Sequence, residues 1–187
     1  MYNLEETLIE NPVIAALRNN DDLSKAISSN AKVVFILYGN IMTVKDICEK
    51  LKAVNKLVFI HIDMLEGLKG DFVGLEFIKK FIQPHGIITT KVNNVKYAKQ
   101  LGLITIQRIF VIDSLSLETG AKNIKDASPN AVEVMPGVAN KIINRLQSKV
   151  RVPVIAGGLI TEKKDAMEAL ASGAIAVSTS ASELWNM

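Results

Sequence analysis

The sequence has a single cysteine, Cys48, in 187 residues. No disulfide can therefore form within the chain, which favours a reducing compartment, and we expect the cytoplasm. Cys48 lies on the apolar side of MTVKDICEKLKAV, a segment whose spacing predicts a helix. Because free cysteines are usually buried and inert, we expect a structural thiol.

Long apolar runs are also absent. No stretch approaches the ~20 apolar residues that a membrane-spanning helix needs. The amino-terminal MYNLEETLIENP is acidic and lacks the continuous apolar stretch of a secretory signal. We therefore expect a cytoplasmic protein without a membrane partner.

The net charge is small, and the sequence lacks the common motifs for nucleic-acid binding, metal binding, nucleotide binding and catalysis. Lys and Arg number 22 against 19 Asp and Glu, and a formal charge of +3 does not by itself indicate a nucleic-acid-binding protein. We find no RRM, KH or dsRBD pattern, no H-x-x-x-H, no cysteine cluster, no G-x-S-x-G, no Walker A motif and no G-x-G-x-x-G after the first strand. We expect no metal site and no cofactor.

What the sequence does contain is a regular alternation of short β-branched runs with longer amphipathic stretches. The eight predicted strands are 13–18, 33–39, 57–63, 86–91, 104–110, 131–137, 152–158 and 174–180. The predicted helices between them are 21–29, 43–54, 71–82, 92–101, 114–127, 138–148 and 161–172, followed by a short tail, SELWNM. Thr43 and Thr161 stand where N-caps belong, and Gly102 and Gly173 where helices should end.

Eight βα units without a linker or a change of composition predict one domain, 1–187, closed into a (β/α)8 TIM-type barrel with minimal loops. A doubly wound sheet is the alternative, because a sequence does not show the spatial order of strands. The number eight and the small, polar ends of the last two strands favour the barrel.

The last two strands predict an anion site. Gly157 and Gly158 allow a backbone to approach an anion closely, and Ser178, Thr179 and Ser180 supply hydroxyls before a helix that begins near 181–183. These five residues form what we call the phosphate cup. The competing interpretation is a tight turn at the glycines and a helix cap at Ser178 to Ser180.

Ionisable residues interrupt several apolar strands. We call five of them the polar mouth: His61, Asp63, Lys91, Arg108 and Glu133. Charged residues are rarely buried unless they are paired, so we expect pairing within the mouth of the barrel, serving either a ligand or the structure alone. A His–Asp couple or a Lys near a Glu is also compatible with general-base or Schiff-base chemistry. Arg18, at the end of the first strand, is a further candidate.

The blocks HIDMLEGLKGD, GIITTK, IQRIFVIDS, VEVMPG and VIAGGLI…AL…GAIAVSTS…ELW occur in this order over nearly the whole chain. Together they resemble the glycerol-3-phosphate-responsive antiterminators of bacterial glycerol operons. The most specific pieces are VEVMPG, AGGLI and AVSTS.

The resemblance implies a regulator that binds glycerol 3-phosphate as its effector and then acts on leader mRNA, so that polymerase reads through a terminator. It implies that Gly157, Gly158, Ser178 and Thr179 hold the phosphate, and that the polar mouth surrounds the glycerol hydroxyls. The alternative, from a different class, is a small phosphosugar-binding barrel enzyme, an isomerase or aldolase dependent on Lys91 or Glu133. A third reading is a family member that keeps the ligand site and has lost its RNA partner.

An RNA-contacting surface rests on the resemblance alone. Lysines of the predicted helices could form a phosphate-contacting patch or simply a solvated surface: Lys79, Lys80, Lys141, Lys149, Lys163 and Lys164. Trp185 is either an interface residue or a plug packed on the barrel. The oligomeric state stays open, with a homo-oligomer among the alternatives.

Overall fold

The computed structural model describes residues 3–187, in which eight parallel strands form a closed barrel in the order β1 to β8. The strands are β1 Val13–Leu17, β2 Val33–Ile36, β3 Leu57–His61, β4 Gly86–Thr89, β5 Ile104–Phe110, β6 Ala131–Met135, β7 Val154–Gly157 and β8 Ala176–Thr179. β1 pairs with both β2 and β8, and this pairing closes the sheet. The predicted (β/α)8 fold is confirmed, and the doubly wound alternative is wrong because the pairing of β1 with β8 closes a sheet that a doubly wound fold leaves open.

Helices alternate with the strands on the outside of the barrel. They are α1 Leu4–Glu10, α2 Asn20–Ser28, α3 Val44–Ala53, α4 Phe72–Phe77, α5 Val92–Gln100, α6 Ser114–Ala127, α7 Asn140–Gln147 and α8 Lys163–Ala171. A π-helical turn, Ile78–Ile82, extends α4, and short 3-10 helices follow β3 (Ile62–Met64) and β8 (Ser182–Asn186). None of the helices described in residues 3–187 has the length and apolar character needed to cross a membrane.

Two apolar clusters hold the barrel together, as expected when alternate strand residues face opposite sides. Inside the barrel, residues such as Ile14, Phe35 and Phe59 form one cluster, which Leu4 and Leu8 of α1 cover from the amino-terminal end. The second cluster lies between the strands and the outer helices and includes Cys48 and Trp185. The sequence did not predict α1, whose two buried leucines supply the closure of this end.

The two predicted helix ends agree with the structure, whereas the two predicted N-caps do not fully agree. Gly102 and Gly173 do follow helix ends in left-handed backbone, as predicted. Thr43 is the N-cap residue of α3 but makes no capping bond with its side chain. The N-cap prediction for Thr161 is wrong, because Glu162 is the N-cap of α8 and forms a capping box with Asp165.

Cys48 is fully buried, as predicted. Burial raises the pKa of its thiol to about 11. Because the thiolate is the reactive form, this pKa fits a structural role.

Candidate functional site at the carboxyl ends of the strands

A cavity of about 320 Å³ opens at the carboxyl ends of the strands. Its lining includes Arg18, Arg108, Gly158, Ser178 and Ser180. Ligand sites of such barrels lie at this end, because the βα loops converge there. The cavity therefore brings together most of the phosphate cup and one residue of the polar mouth.

Two larger cavities lie at the opposite end of the barrel. One, about 500 Å³, is lined by the ends of α6 and α7 with Lys125, Lys149 and Arg151. The other, about 610 Å³, lies beside α1. Two cavities of about 390 Å³ also open at the carboxyl ends, beside Lys91 and beside Phe110. We assign the ligand site to the cavity of about 320 Å³ because the buried Arg108, Ser178 and Thr179 converge there with Gly158.

A buried ion pair forms the floor of the mouth. The Arg108 Nε donates to Glu133 Oε2 at 2.5 Å, and the Ser178 hydroxyl donates to Glu133 Oε1. Arg108 is 5 % exposed and Glu133 is 0 % exposed. The expected pairing of strand charges is thus found, and it occupies both oxygens of Glu133.

Gly157 makes room for this network. A Cβ on Gly157 would lie 2.5 Å from Glu133 Oε1 and 2.7 Å from the Ser178 hydroxyl. A glycine at position 157 is therefore required by the buried Glu133–Ser178 contact, whereas the cavity lining begins at the next residue, Gly158.

His61 ends β3 inside the barrel and is 3 % exposed. Its Nδ1 has no hydrogen-bond partner among residues 3–187. Burial first, and then the nearby charge of Arg108, lower the pKa of His61 to about 4, although Asp63 acts in the opposite direction. His61 is therefore neutral near pH 7.

This depressed pKa predicts a stability that depends on pH. Between pH 6.5 and 4 the unfolded chain protonates His61 and the folded chain resists protonation, so the free energy of unfolding falls as the pH falls. One pKa unit corresponds to about 1.4 kcal/mol, so the loss attributable to His61 approaches about 3 kcal/mol at pH 4. Urea unfolding at pH 7, 5.5 and 4 should show a smaller loss for His61→Gln than for the unsubstituted protein.

His85, the second histidine of the chain, provides the matched control. Burial lowers its pKa too, but it is only half-buried, and its Nδ1 accepts a hydrogen bond from the Val58 backbone at 3.0 Å. His85→Gln should retain the part of the pH dependence that His61→Gln removes. An unchanged pH dependence in His61→Gln would contradict this assignment.

Asp63 and Lys91 lie beyond the strands that were predicted to carry them. β3 ends at His61, and Asp63 belongs to the 3-10 helix that follows, where its carboxylate accepts hydrogen bonds from Thr89 and Thr90. Lys91 is the N-cap residue of α5, with its side chain 62 % exposed and its Nζ 3.9 Å from Asp63 Oδ1. The contacts of Asp63 with Thr89, Thr90 and Lys91 therefore join the loops after β3 and β4.

The phosphate cup has a specific backbone shape. Gly158 has φ +79° and the following Leu159 has φ +62°, a left-handed conformation that is uncommon for a residue with a Cβ. Leu159 is 71 % exposed and lines the cavity together with Thr161. Neither residue was predicted to line the site, although Leu159 directly follows the two glycines and Thr161 lies two residues further along the chain.

Thr179 links the loops after β7 and β8. Its hydroxyl donates to the Ile160 carbonyl at 2.6 Å and accepts from the Ala181 N–H at 2.9 Å. The Trp185 indole N–H donates to the Thr179 carbonyl at 2.9 Å, and Trp185 is 1 % exposed. Of the two interpretations of Trp185, packing against the barrel is confirmed.

The candidate lysines do not form one patch. Lys79, Lys80 and Lys149 follow or end helices at the amino-terminal end of the barrel, whereas Lys141, Lys163 and Lys164 lie in first helical turns near the mouth. Lys149 and Lys164 pair with Glu118 and Glu168, respectively.

Nowhere in residues 3–187 do three His, Cys, Asp or Glu side chains gather as a metal-ion site.

The chain matches known proteins over nearly its full length. Residues 13–185 match the family model described as "Glycerol-3-phosphate responsive antiterminator". The uncharacterized protein YgcP of Escherichia coli K12 is 38% identical over 180 residues, covering 96% of this chain and 94% of YgcP.

Solved structures agree with this match. The glycerol uptake operon antiterminator regulatory protein of Listeria monocytogenes has a TM-score of 0.89 at 35% identity, covering 92% of this chain and 94% of that chain. A glycerol uptake operon antiterminator-related protein of Thermotoga maritima has a TM-score of 0.84 at 34% identity, covering 95% and 99%. The deoxyribose phosphate aldolase of Aeropyrum pernix, with a TM-score of 0.71 at 15% identity over 98% and 94%, shares the fold alone. This chain therefore belongs to the glycerol-3-phosphate responsive antiterminator family.

Proposed function

We propose that this protein binds glycerol 3-phosphate in its mouth and that the ligand-bound form acts on leader RNA as a transcription antiterminator. The observation that carries the proposal is the cavity between β1, β7 and β8, lined by Arg18, Gly158, Ser178 and Ser180, in a chain of this family. Action on nascent RNA would place the protein in the cytoplasm.

The ligand fits the mouth chemically. Gly158, which has no side chain, places loop backbone directly beside the cavity. Ser180 is half-buried at the edge of the cavity, and Arg18 provides a positive charge. Neutral His61 and the Arg108–Glu133 pair give the deeper mouth a polar character suited to hydroxyl groups.

The details of the mouth favour a regulator over the aldolase alternative. Schiff-base chemistry needs a lysine inside the mouth. The interior positions of the described strands hold none, and the ammonium of Lys91, whose side chain is 62 % exposed, lies 3.9 Å from Asp63 Oδ1. Glu133 is held by Arg108 and Ser178, which leaves neither carboxylate oxygen free as a base.

Calorimetry with glycerol 3-phosphate tests the ligand, with glycerol and inorganic phosphate as controls. We expect glycerol 3-phosphate to bind more tightly than either fragment, because it fills both the phosphate cup and the deeper mouth. NMR of the incubated ligand should show no turnover. Binding no tighter than that of inorganic phosphate would contradict the proposed effector.

The RNA step predicts reciprocal coupling. If glycerol 3-phosphate raises the affinity for leader RNA, RNA must raise the affinity for glycerol 3-phosphate by the same factor, typically about 5–150-fold. Filter binding of leader RNA with and without the ligand, at one fixed salt concentration, measures this factor. An unchanged RNA affinity in a protein that binds the ligand would remove the antiterminator part and leave a ligand-binding barrel.

A further inference from the structure

Arg18 stands at the carboxyl end of β1, and the closure of the barrel places it beside the phosphate cup. In the sequence Arg18 and Ser178 are far apart, but β1 pairs with β8 in the register Val13 with Val177 and Ala15 with Thr179. The exposed Arg18 lines the same cavity as Gly158, Ser178 and Ser180. Its position therefore makes it a neighbour of any anion held there.

The positive charge of Arg18 is available to a ligand. None of the ion pairs found within residues 3–187 includes Arg18, and its guanidinium makes no hydrogen bond there. The other arginine of the cavity, Arg108, is neutralised by Glu133 at 2.5 Å. His61 is neutral near pH 7 because burial lowers its pKa to about 4. Among residues 3–187, Arg18 is thus the one uncompensated cation that lines this cavity, and it lies at the rim where a phosphate would enter.

A buried carboxylate fixes the backbone beneath this cation. The Arg18 N–H donates to Asp22 Oδ2 at 2.8 Å, and Asp22 is 7 % exposed at the start of α2. The Asp22 N–H in turn donates to the Asn19 side chain at 2.9 Å. Asp22 therefore holds the main chain of Arg18 without forming an ion pair with its guanidinium.

We propose that Arg18 binds the phosphate of the ligand directly and makes the mouth selective for doubly charged phosphate monoesters over singly charged anions of the same shape. An arginine presents a planar fork of donors that matches phosphate oxygens, and such bonds strengthen with the charge of the acceptor. The inference rests on the proposed function only for the location of the site, since the carbon skeleton of the ligand does not enter it.

The test compares two small probes of nearly equal shape, methyl phosphate and methyl sulfate. At pH 8 methyl phosphate carries close to two negative charges, because the second pKa of a phosphate ester is about 6, whereas methyl sulfate carries one. NMR titration of the full chain should show tighter binding of methyl phosphate. Arg18→Gln should weaken methyl phosphate binding about 10- to 100-fold and methyl sulfate binding less, which removes the preference.

Two further variants sharpen the result. Arg18→Lys keeps the charge and loses the fork, so we expect it to retain part of the preference. Arg151→Gln removes an exposed arginine at the opposite end of the barrel and should change neither affinity. Equal losses in Arg18→Gln and Arg151→Gln would show a general charge effect and overturn the proposal.

The outcomes separate this inference from the proposed effector. One outcome is that methyl phosphate binding depends on Arg18 while glycerol 3-phosphate binds no more tightly than inorganic phosphate. This would leave Arg18 as the anion ligand and exclude the proposed effector. Methyl phosphate affinity unaffected by Arg18→Gln would overturn the role of Arg18 even if glycerol 3-phosphate binds. Failure of the unsubstituted protein to bind either probe or glycerol 3-phosphate would overturn both.

Discussion

Replacement of Glu133 by alanine is expected to lower the free energy of unfolding by about 3–5 kcal/mol, the usual effect of removing one partner of a buried ion pair. Glu133 is 0 % exposed, and its loss leaves the Arg108 guanidinium inside the barrel without a counter-charge. The Ser178 hydroxyl loses its acceptor at the same time. Urea unfolding followed by circular dichroism at pH 7 measures the difference.

A double variant separates the lost charge from the lost packing. Arg108→Met combined with Glu133→Leu removes both charges and keeps apolar volume, so it should recover much of the stability lost in either single variant. Glu133→Gln keeps the shape and should lie between Glu133→Ala and the unsubstituted protein. A Glu133→Ala protein that unfolds at the same urea concentration as the unsubstituted protein would show that water solvates Arg108.

This buried pair was accessible to sequence reasoning because of strand geometry. Arg108 and Glu133 interrupt apolar strands that are neighbours in the chain, and consecutive strands of a barrel pair with each other. The structure places the two residues directly opposite each other in the β5–β6 register. An isolated charge in a buried strand requires a partner, and the adjacent strand supplies it.

The ends of the strands could not be predicted as well. Asp63 has the same strand parity as His61 in an uninterrupted strand, which suggested that both face the mouth. The chain turns into a 3-10 helix after His61, and Asp63 accepts hydrogen bonds there from the hydroxyl of Thr89 and from the hydroxyl and N–H of Thr90. These contacts come from another βα unit, and no local pattern in residues 57–63 indicates them.

Barrel closure accounts for the other main difference. Arg18 precedes the phosphate cup by most of the chain, and only the pairing of β1 with β8 makes it a cavity residue. Likewise, nothing in the local sequence distinguishes the two leucines of α1. Their role becomes visible only where they cover the open amino-terminal end of the barrel. Local spacing predicted the alternation of strands and helices, but the contacts between the two ends of the chain depend on three-dimensional closure.

Replacement of Gly158 by aspartate is expected to abolish measurable binding of glycerol 3-phosphate while the barrel stays folded. Gly158 lines the cavity, and its φ of +79° places it in left-handed backbone, which aspartate tolerates better than most residues at a cost of about 1 kcal/mol. The new Cβ would lie 3.2 Å from the flexible end of Met135, which can move. The added carboxylate would then repel a dianionic phosphate at close range, in a site with Arg18 as its one uncompensated cation among the described residues.

Gly158→Asn is the matched control, because asparagine has nearly the same shape and the same tolerance of left-handed backbone without the charge. If repulsion is the cause, calorimetry should show a far smaller loss of glycerol 3-phosphate affinity in Gly158→Asn than in Gly158→Asp, with both variants melting within a few degrees of the unsubstituted protein. Equal losses in the two variants would mean that the side chain blocks the loop by its volume. Unchanged binding in a folded Gly158→Asp protein would place the phosphate elsewhere, since a carboxylate at this position lies on the wall of the cavity that Ser178, Thr179 and Ser180 also line.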